Sequence, residues 1–161
     1  MPDTITIYTD GAARGNPGPG GYGAVLMSGR HKKELAEGFR MTTNNRMELM
    51  AVIKALLALK KTGLKIRIYT DSKYVCDAVT KGWLASWQRT GFKNKKNTDL
   101  WRELIPLLAK YKPEFYWVKG HAGNLLNERC DQLATLAADT GPHGVDLVFE
   151  RSREEDSKGL L

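Results

Sequence analysis

Two segments of the chain end alike. Thr4-Ile5-Thr6-Ile7-Tyr8-Thr9-Asp10 runs into Gly11, and Lys65-Ile66-Arg67-Ile68-Tyr69-Thr70-Asp71 runs into Ser72. Apolar and polar residues alternate through each, the period of a strand with one buried face. Each closes on Tyr-Thr-Asp before a small residue. In a sheet carrying both segments centrally, the two acids lie at the carboxyl ends of the strands, where ligands gather in open α/β sheets. Glu48 stands near the start of a long apolar-periodic stretch, and Asp131 lies within another. Four carboxylates drawn together repel one another unless cations intervene. Hard cations that prefer oxygen, such as Mg²⁺, suit such a cluster, and the chemistry implied is metal-assisted work on phosphate.

The remaining elements follow from periodicity and turn chemistry. Residues 22–28 and 32–41 read as strands joined by Ser28-Gly29-Arg30, so the first three strands form an antiparallel meander. Residues 11–23 read as turn chemistry throughout. A helix is expected from Asn45 to Lys61, where Leu49, Val52, Ile53, Leu56 and Leu59 recur at helical spacing. Residues 72–80 read as a short helix and Trp83–Trp87 as one or two further turns. A helix from Thr98 or Asp99 to Lys110 contains Pro106, expected to kink or interrupt it. Residues 114–118 are a last strand and 127–139 a last helix. Strands interleaved with helices require parallel pairing. The expected fold is α/β: a mixed five-stranded sheet, antiparallel meander plus parallel strands, with helices on both faces. One domain covers residues 1–140. Residues 141–161 read as an acidic, largely disordered tail, with Val145–Phe149 able to dock locally.

Composition narrows the partners. The tail carries three basic against five acidic residues, so of the chain's net +7 the first 140 residues carry +9. A basic body favours polyanions, nucleic acid first. No apolar run is long enough to span a membrane, and Met1-Pro2-Asp3-Thr4 lacks the regions of a signal peptide. Cys76 and Cys130 have no metal-ligand spacing and read as reduced thiols of a cytoplasmic protein. Nothing demands an oligomer, so a monomer is the default.

Each acid alone has an ordinary explanation. Asp71 could cap a helix, Glu48 could close a capping box with Asn45, Asp10 could sit in a turn, and Asp131 could be solvated. Together they fit these roles poorly, because gathering acids merely to cap costs electrostatic free energy.

The motifs are also familiar as a set. They are Thr9-Asp10-Gly11, the stretch from Gly15 to Gly23, Thr42-Thr43-Asn44-Asn45-Arg46-Met47-Glu48-Leu49, Thr70-Asp71-Ser72, Trp117-Val118-Lys119-Gly120-His121-Ala122-Gly123 and Asn127-Glu128-Arg129-Cys130-Asp131. In this order, over about residues 4 to 139, the chain resembles bacterial type I ribonuclease H. The resemblance implies that family's fold and cleavage of the RNA strand of RNA–DNA hybrids, leaving 5′-phosphate and 3′-hydroxyl ends. It implies Asp10, Glu48, Asp71 and Asp131 as catalytic metal ligands, with Asp10 bridging two Mg²⁺ ions roughly 4 Å apart. Mn²⁺ is an expected substitute. It implies His121 as a mobile assistant in water positioning, proton transfer or product release, work that suits an imidazole. Choosing RNA requires contacts to 2′-hydroxyls, for which the resemblance offers Asn16, Asn44 and Asn45. Thr43 and Asn97 match its phosphate pocket. Trp83, Trp87, Phe92, Lys93, Lys95 and Lys96 match its basic protrusion, which contacts the DNA strand. Here the chain departs from the pattern. The loop is shorter than in enterobacterial members, Phe92 stands where Trp is common, Lys73 where Gln is common, and Met41 where Arg is common, with Arg40 beside it. Competing readings are another nuclease on this architecture, a hybrid-binding module without catalysis, and a phosphatase using Asp10 as nucleophile.

Overall fold

The computed structural model describes residues 4–120 and 124–159. The elements in chain order are β1 (Thr4–Ala13), β2 (Gly18–Ser28), β3 (His31–Thr42), α1 (Asn44–Leu57), β4 (Lys65–Thr70), α2 (Lys73–Thr80), α3 (Trp83–Arg89), α4 (Thr98–Tyr111), β5 (Glu114–Trp117), α5 (Leu125–Thr140), β6 (His143–Gly144) and α6 (Leu147–Gly159). The sheet order is β5-β4-β1-β2-β3-β6. β1, β2 and β3 pair antiparallel, as the meander predicts, while β4 joins β1 and β5 joins β4 in parallel. The sheet has six strands rather than five. The additional strand is two residues long and pairs with Gly38 and Phe39 of β3, too short to leave a periodic pattern in the sequence.

Alternation along the central strands divides the packing. Ile7, Ile66 and Ile68 are fully or almost fully buried in a core with Leu49, Val52, Ile53 and Leu56 of α1 and Leu100, Trp101 and Leu104 of α4. On the opposite face, α5 lies across β1, β2 and β3. The glycine-rich stretch expected to be turn from end to end instead enters β2 at Gly18. The reason is steric. A Cβ on Gly23 would fall 2.5 Å from the Cys130 carbonyl oxygen, so only bare backbone lets α5 lie this close. Helix α4 runs through Pro106 as one segment, so of the kink or interruption expected there the interruption does not occur. Leu100, Trp101 and Leu104 before that position and Tyr111 after it anchor the helix in the core.

Beyond Gly141 the structure also departs from the disorder expected. β6 and α6 occupy this segment, and the tie is a buried charge cluster. Arg46, 3% exposed, donates through Nε and Nη2 to Asp146 at 2.7 and 2.9 Å, and through Nη1 and Nη2 to Asp99 at 2.9 and 2.7 Å. Thr42 Oγ1 donates to Asp146 at 2.7 Å. Burial works against the Arg46 charge, but hydrogen bonds and attraction from both carboxylates hold it protonated. An acidic tail reads as solvated by composition; one of its acids is a buried counter-ion.

Candidate active site

The caps at the helix starts decide how the acids can be used. Thr43 caps α1, its hydroxyl accepting from the Arg46 N–H, so the helix begins at Asn44. Glu48 is then the fifth helical residue and lies beyond capping-box reach of that cap. Ser72 caps α2, its hydroxyl accepting from the Val75 N–H at 3.2 Å. Asp71 is therefore released from that duty. Asp10 sits inside β1, which continues to Ala13, and is not a turn residue. Its Oδ1 accepts from the Gly11 N–H at 2.8 Å. The ordinary roles open to these three acids are filled by other residues or absent.

One carboxylate oxygen from each of Asp10, Glu48 and Asp71 lies within 4.8 Å of the others. Asp10 and Glu48 are each 4% exposed. Burial, then repulsion from Asp71, pushes the Asp10 carboxyl up to about 7 from its ordinary 3.8. Burial, then repulsion from Asp10 and Asp71, pushes Glu48 well above the usual carboxylate range. The Glu48 Oε2 atom is buried without a hydrogen-bond partner. Three hard oxygen donors, one of them an orphaned acceptor, fit a divalent cation. Asp131 stands on α5, partly exposed, and adds a smaller repulsive push to Asp10. It lies outside the close group of three. His121 falls outside the described residues.

The expected substrate residues separate into surface and anchor. Asn16, Asn44 and Asn45 are exposed at the mouth of α1, with Asn16 Oδ1 accepting from the Asn44 N–H at 3.3 Å. Thr43 and Asn97 both bond to Arg46, which places them on one patch. Asn97 also donates to Tyr74 Oη at 3.1 Å, beside the Trp101 Nε1 bond to the same oxygen at 2.9 Å. Trp83 is exposed, with Lys81 Nζ 5.7 Å from its ring centre. Trp87 is half-buried, edge-on to Trp101 at 5.5 Å, with Lys95 Nζ 4.9 Å over its ring. Lys93, Lys95 and Lys96 are exposed. Phe92 departs from the expectation of a substrate-facing ring. It is 7% exposed and packed in the main core, so it anchors the basic loop. A lone aromatic in a basic loop does not reveal in sequence which way it turns.

Arg46 and Tyr74 were not singled out from sequence. Tyr74 leaves no signal. Arg46 leaves a faint one, a cation two residues before Glu48 with apolar Leu49 and Met50 one helical turn ahead of it.

Comparison with known proteins agrees with this geometry. A family model for RNase H matches residues 2–139. The ribonuclease H of Syntrophomonas wolfei is 59% identical over 138 residues, covering 83% of this chain and 94% of that protein. Among solved structures, LC9-RNase H1, a type 1 RNase H with the type 2 active-site motif, superposes with a TM-score of 0.76 at 32% identity, covering 86% of this chain and 73% of that one. LC11-RNase H1, solved with an RNA/DNA hybrid, superposes with a TM-score of 0.65 at 26% identity, covering 84% of this chain and 96% of that one. The chain belongs to the ribonuclease H family, on its bacterial type I branch.

Proposed function

We propose that this protein hydrolyses the RNA strand of RNA–DNA hybrids endonucleolytically, leaving 5′-phosphate and 3′-hydroxyl ends, in removal of primer RNA and R-loops. The observation that carries the reading is the convergence of Asp10, Glu48 and Asp71 within 4.8 Å on a ribonuclease H chain. The hybrid bound to LC11-RNase H1 supports the choice of substrate.

Asp10, Glu48, Asp71 and Asp131 would hold the divalent cations, Mg²⁺ ordinarily and Mn²⁺ as a substitute. When bound, two such ions stabilise the attacking and leaving oxygens of an in-line displacement and make water a better nucleophile at neutral pH. The buried acids keep their geometry because their strands and helix are fixed by main-chain pairing and packing. Asn16, Asn44 and Asn45 would meet the sugar edge, where the 2′-hydroxyl distinguishes RNA from DNA. Thr43 and Asn97 would position a phosphate, and Trp83, Lys93, Lys95 and Lys96 would track the DNA strand, with Trp87 and Phe92 holding that surface in place. His121 would assist proton transfer or product release. The buried free thiols Cys76 and Cys130 suit a reducing compartment, and we place the protein in the cytoplasm. Among the described residues no helix is long and apolar enough to cross a membrane.

The test is a labelled RNA–DNA hybrid beside single-stranded RNA, duplex RNA and duplex DNA, each with Mg²⁺ and with chelator, using wild type and Asp71→Asn. Mg²⁺-dependent cutting confined to the hybrid's RNA strand, and lost in Asp71→Asn, is expected. Hybrid binding without cutting under any divalent metal would sink the catalytic reading.

A further inference from the structure

Tyr8, Tyr69 and Tyr116 hold matching positions on three adjacent parallel strands. The register sets Tyr8 opposite Tyr69, and Tyr69 opposite Tyr116. Their rings form one stack, with centroids 4.8 Å apart at 13° and then 5.2 Å apart at 22°. The stack lies on the face away from the α1 core, because Ile7, Ile68 and Phe115, which alternate with these tyrosines, fill that core. Helix α5 covers β1, β2 and β3 on this face, and the stack runs out past it. β5 is the sheet edge, and Tyr116 is 39% exposed. Among the described residues no further ring continues the stack.

Cross-strand aromatic pairing stabilises sheets, and that accounts for Tyr8 and Tyr69. It does not account for a terminal ring left open to solvent. The next residue along β5, Trp117, is 44% exposed and turns to the opposite face at the strand's end. Trp117 is tied to the carboxylate cluster, its Nε1 donating to the Asp71 carbonyl oxygen at 3.1 Å. Lys73 Nζ lies 4.8 Å over the Trp117 ring. Lys73 and Lys119 are exposed here, and Arg67 lies on β4 facing Glu114. The edge therefore carries an open tyrosine ring on one face and an exposed tryptophan with Lys73 around the strand end on the other, so that a chain wrapping the edge meets a ring first and a cation next, beside the site that would cut the RNA strand. Single-stranded nucleic acid is held by this pairing of stacking rings and cations.

We propose that the outer face of Tyr116 seats an unpaired base of a single-stranded segment flanking the hybrid, with Lys73 and Lys119 meeting its phosphates. The proposal rests on the hybrid-nuclease reading. It makes junctions between hybrid and single strand better substrates than blunt hybrids. The seat is sequence-tolerant, because every base has a face that stacks.

The experiment compares wild type, Tyr116→Ala, Tyr116→Phe and Tyr116→Trp on a blunt hybrid and on hybrids extended by unpaired RNA at either end. KM and kcat are measured with Mg²⁺, and anisotropy of a labelled unpaired RNA is measured with chelator. Expected is a lower KM for at least one extended hybrid, lost by about fivefold in Tyr116→Ala. The blunt hybrid's constants and kcat should stay unchanged, and Phe and Trp should retain the advantage. Unpaired RNA should bind Tyr116→Ala more weakly by a similar factor. Equal KM for blunt and extended hybrids in wild type would overturn the proposal. So would an equal loss on all substrates in a folded Tyr116→Ala, which would mark a structural role. Failure of wild type to cut any hybrid would overturn the nuclease reading instead, while the anisotropy arm would still decide whether the base seat exists.

Discussion

Arg46 and Glu48 lie two residues apart near the start of α1, and both are buried, 3% and 4% exposed. Their surroundings are opposite. Arg46 meets two carboxylates with bonds of 2.7 to 2.9 Å. Glu48 meets two further acids and keeps an orphaned oxygen. A buried charge costs several kcal/mol unless paired, so each arrangement has a purpose. The complete one fastens the segment after Gly141 to the body. The incomplete one stores repulsion that a cation relieves. The same helix turn thus supplies a structural charge and a functional one, and satisfaction by protein partners separates the two.

The comparison can be broken most severely at the carboxylates. Asp10→Asn should lower hybrid cleavage at least about a thousandfold, as loss of electrostatic groups at reacting centres does. It should also raise the stability of the metal-free protein by roughly 1–3 kcal/mol, measured by urea unfolding in chelator at pH 8. A variant that lost activity and stability together would show the cluster to be structural. At the other cluster, Asp146→Ala should cost about 3 kcal/mol and leave kcat of the folded protein nearly intact. An unchanged unfolding midpoint would mean that Arg46 needs only Asp99.

A pH scan sharpens the contrast. The folded Asp10 carboxyl, at about 7, holds its proton more tightly than its ordinary 3.8. Between these values the folded state binds more protons than the unfolded one, so metal-free stability falls as pH rises. The contribution is fully present below about pH 4 and gone above about pH 7. Thermal melts in chelator should show that decline, Asp10→Asn should remove much of it, and Mg²⁺ should offset it. A rise across the same window would refute the direction of the shift. The smallest effect belongs to the exposed loop. Lys93, Lys95 and Lys96 replaced together by Ala should raise KM a few-fold and flatten its salt dependence; an unchanged slope would remove the loop from phosphate contact.

Much of this was legible in the sequence, and the failures have physical causes. β1, β4 and α1 follow from periods of two and 3.6, because one face of each meets a core. The matching Tyr-Thr-Asp endings then predict that Asp10 and Asp71 converge. The start of β2 was hidden, since Gly18-Pro19-Gly20-Gly21 has the chemistry of a turn, and its bare backbone is needed by several neighbours at once: the loop at residues 14–15 at Gly18, Ala12, Thr42 and Met47 at Gly20, and α5 at Gly21. Local docking at Val145–Phe149 was open to the sequence, but the helix α6 and the burial of Asp146 were not, because Asp146 owes its burial to Arg46, one hundred residues away. Phe92 and Trp87 were given to the substrate surface by the resemblance and by the basic loop beside them, whereas the core at Trp101 draws Phe92 in fully and Trp87 partly.

Gly11 has a Cβ position 2.4 Å from the Glu48 amide nitrogen and 2.5 Å from the Met47 carbonyl carbon. Strand and helix thus touch main chain to main chain beside the first two acids. The distance between those acids is accordingly a property of the backbone and not of side-chain volumes. Core residues such as Leu49 or Ile53 can exchange for others of similar bulk while the site keeps its gauge. A single methyl group at position 11 would reset it, which makes the smallest residue in the neighbourhood the hardest one to replace.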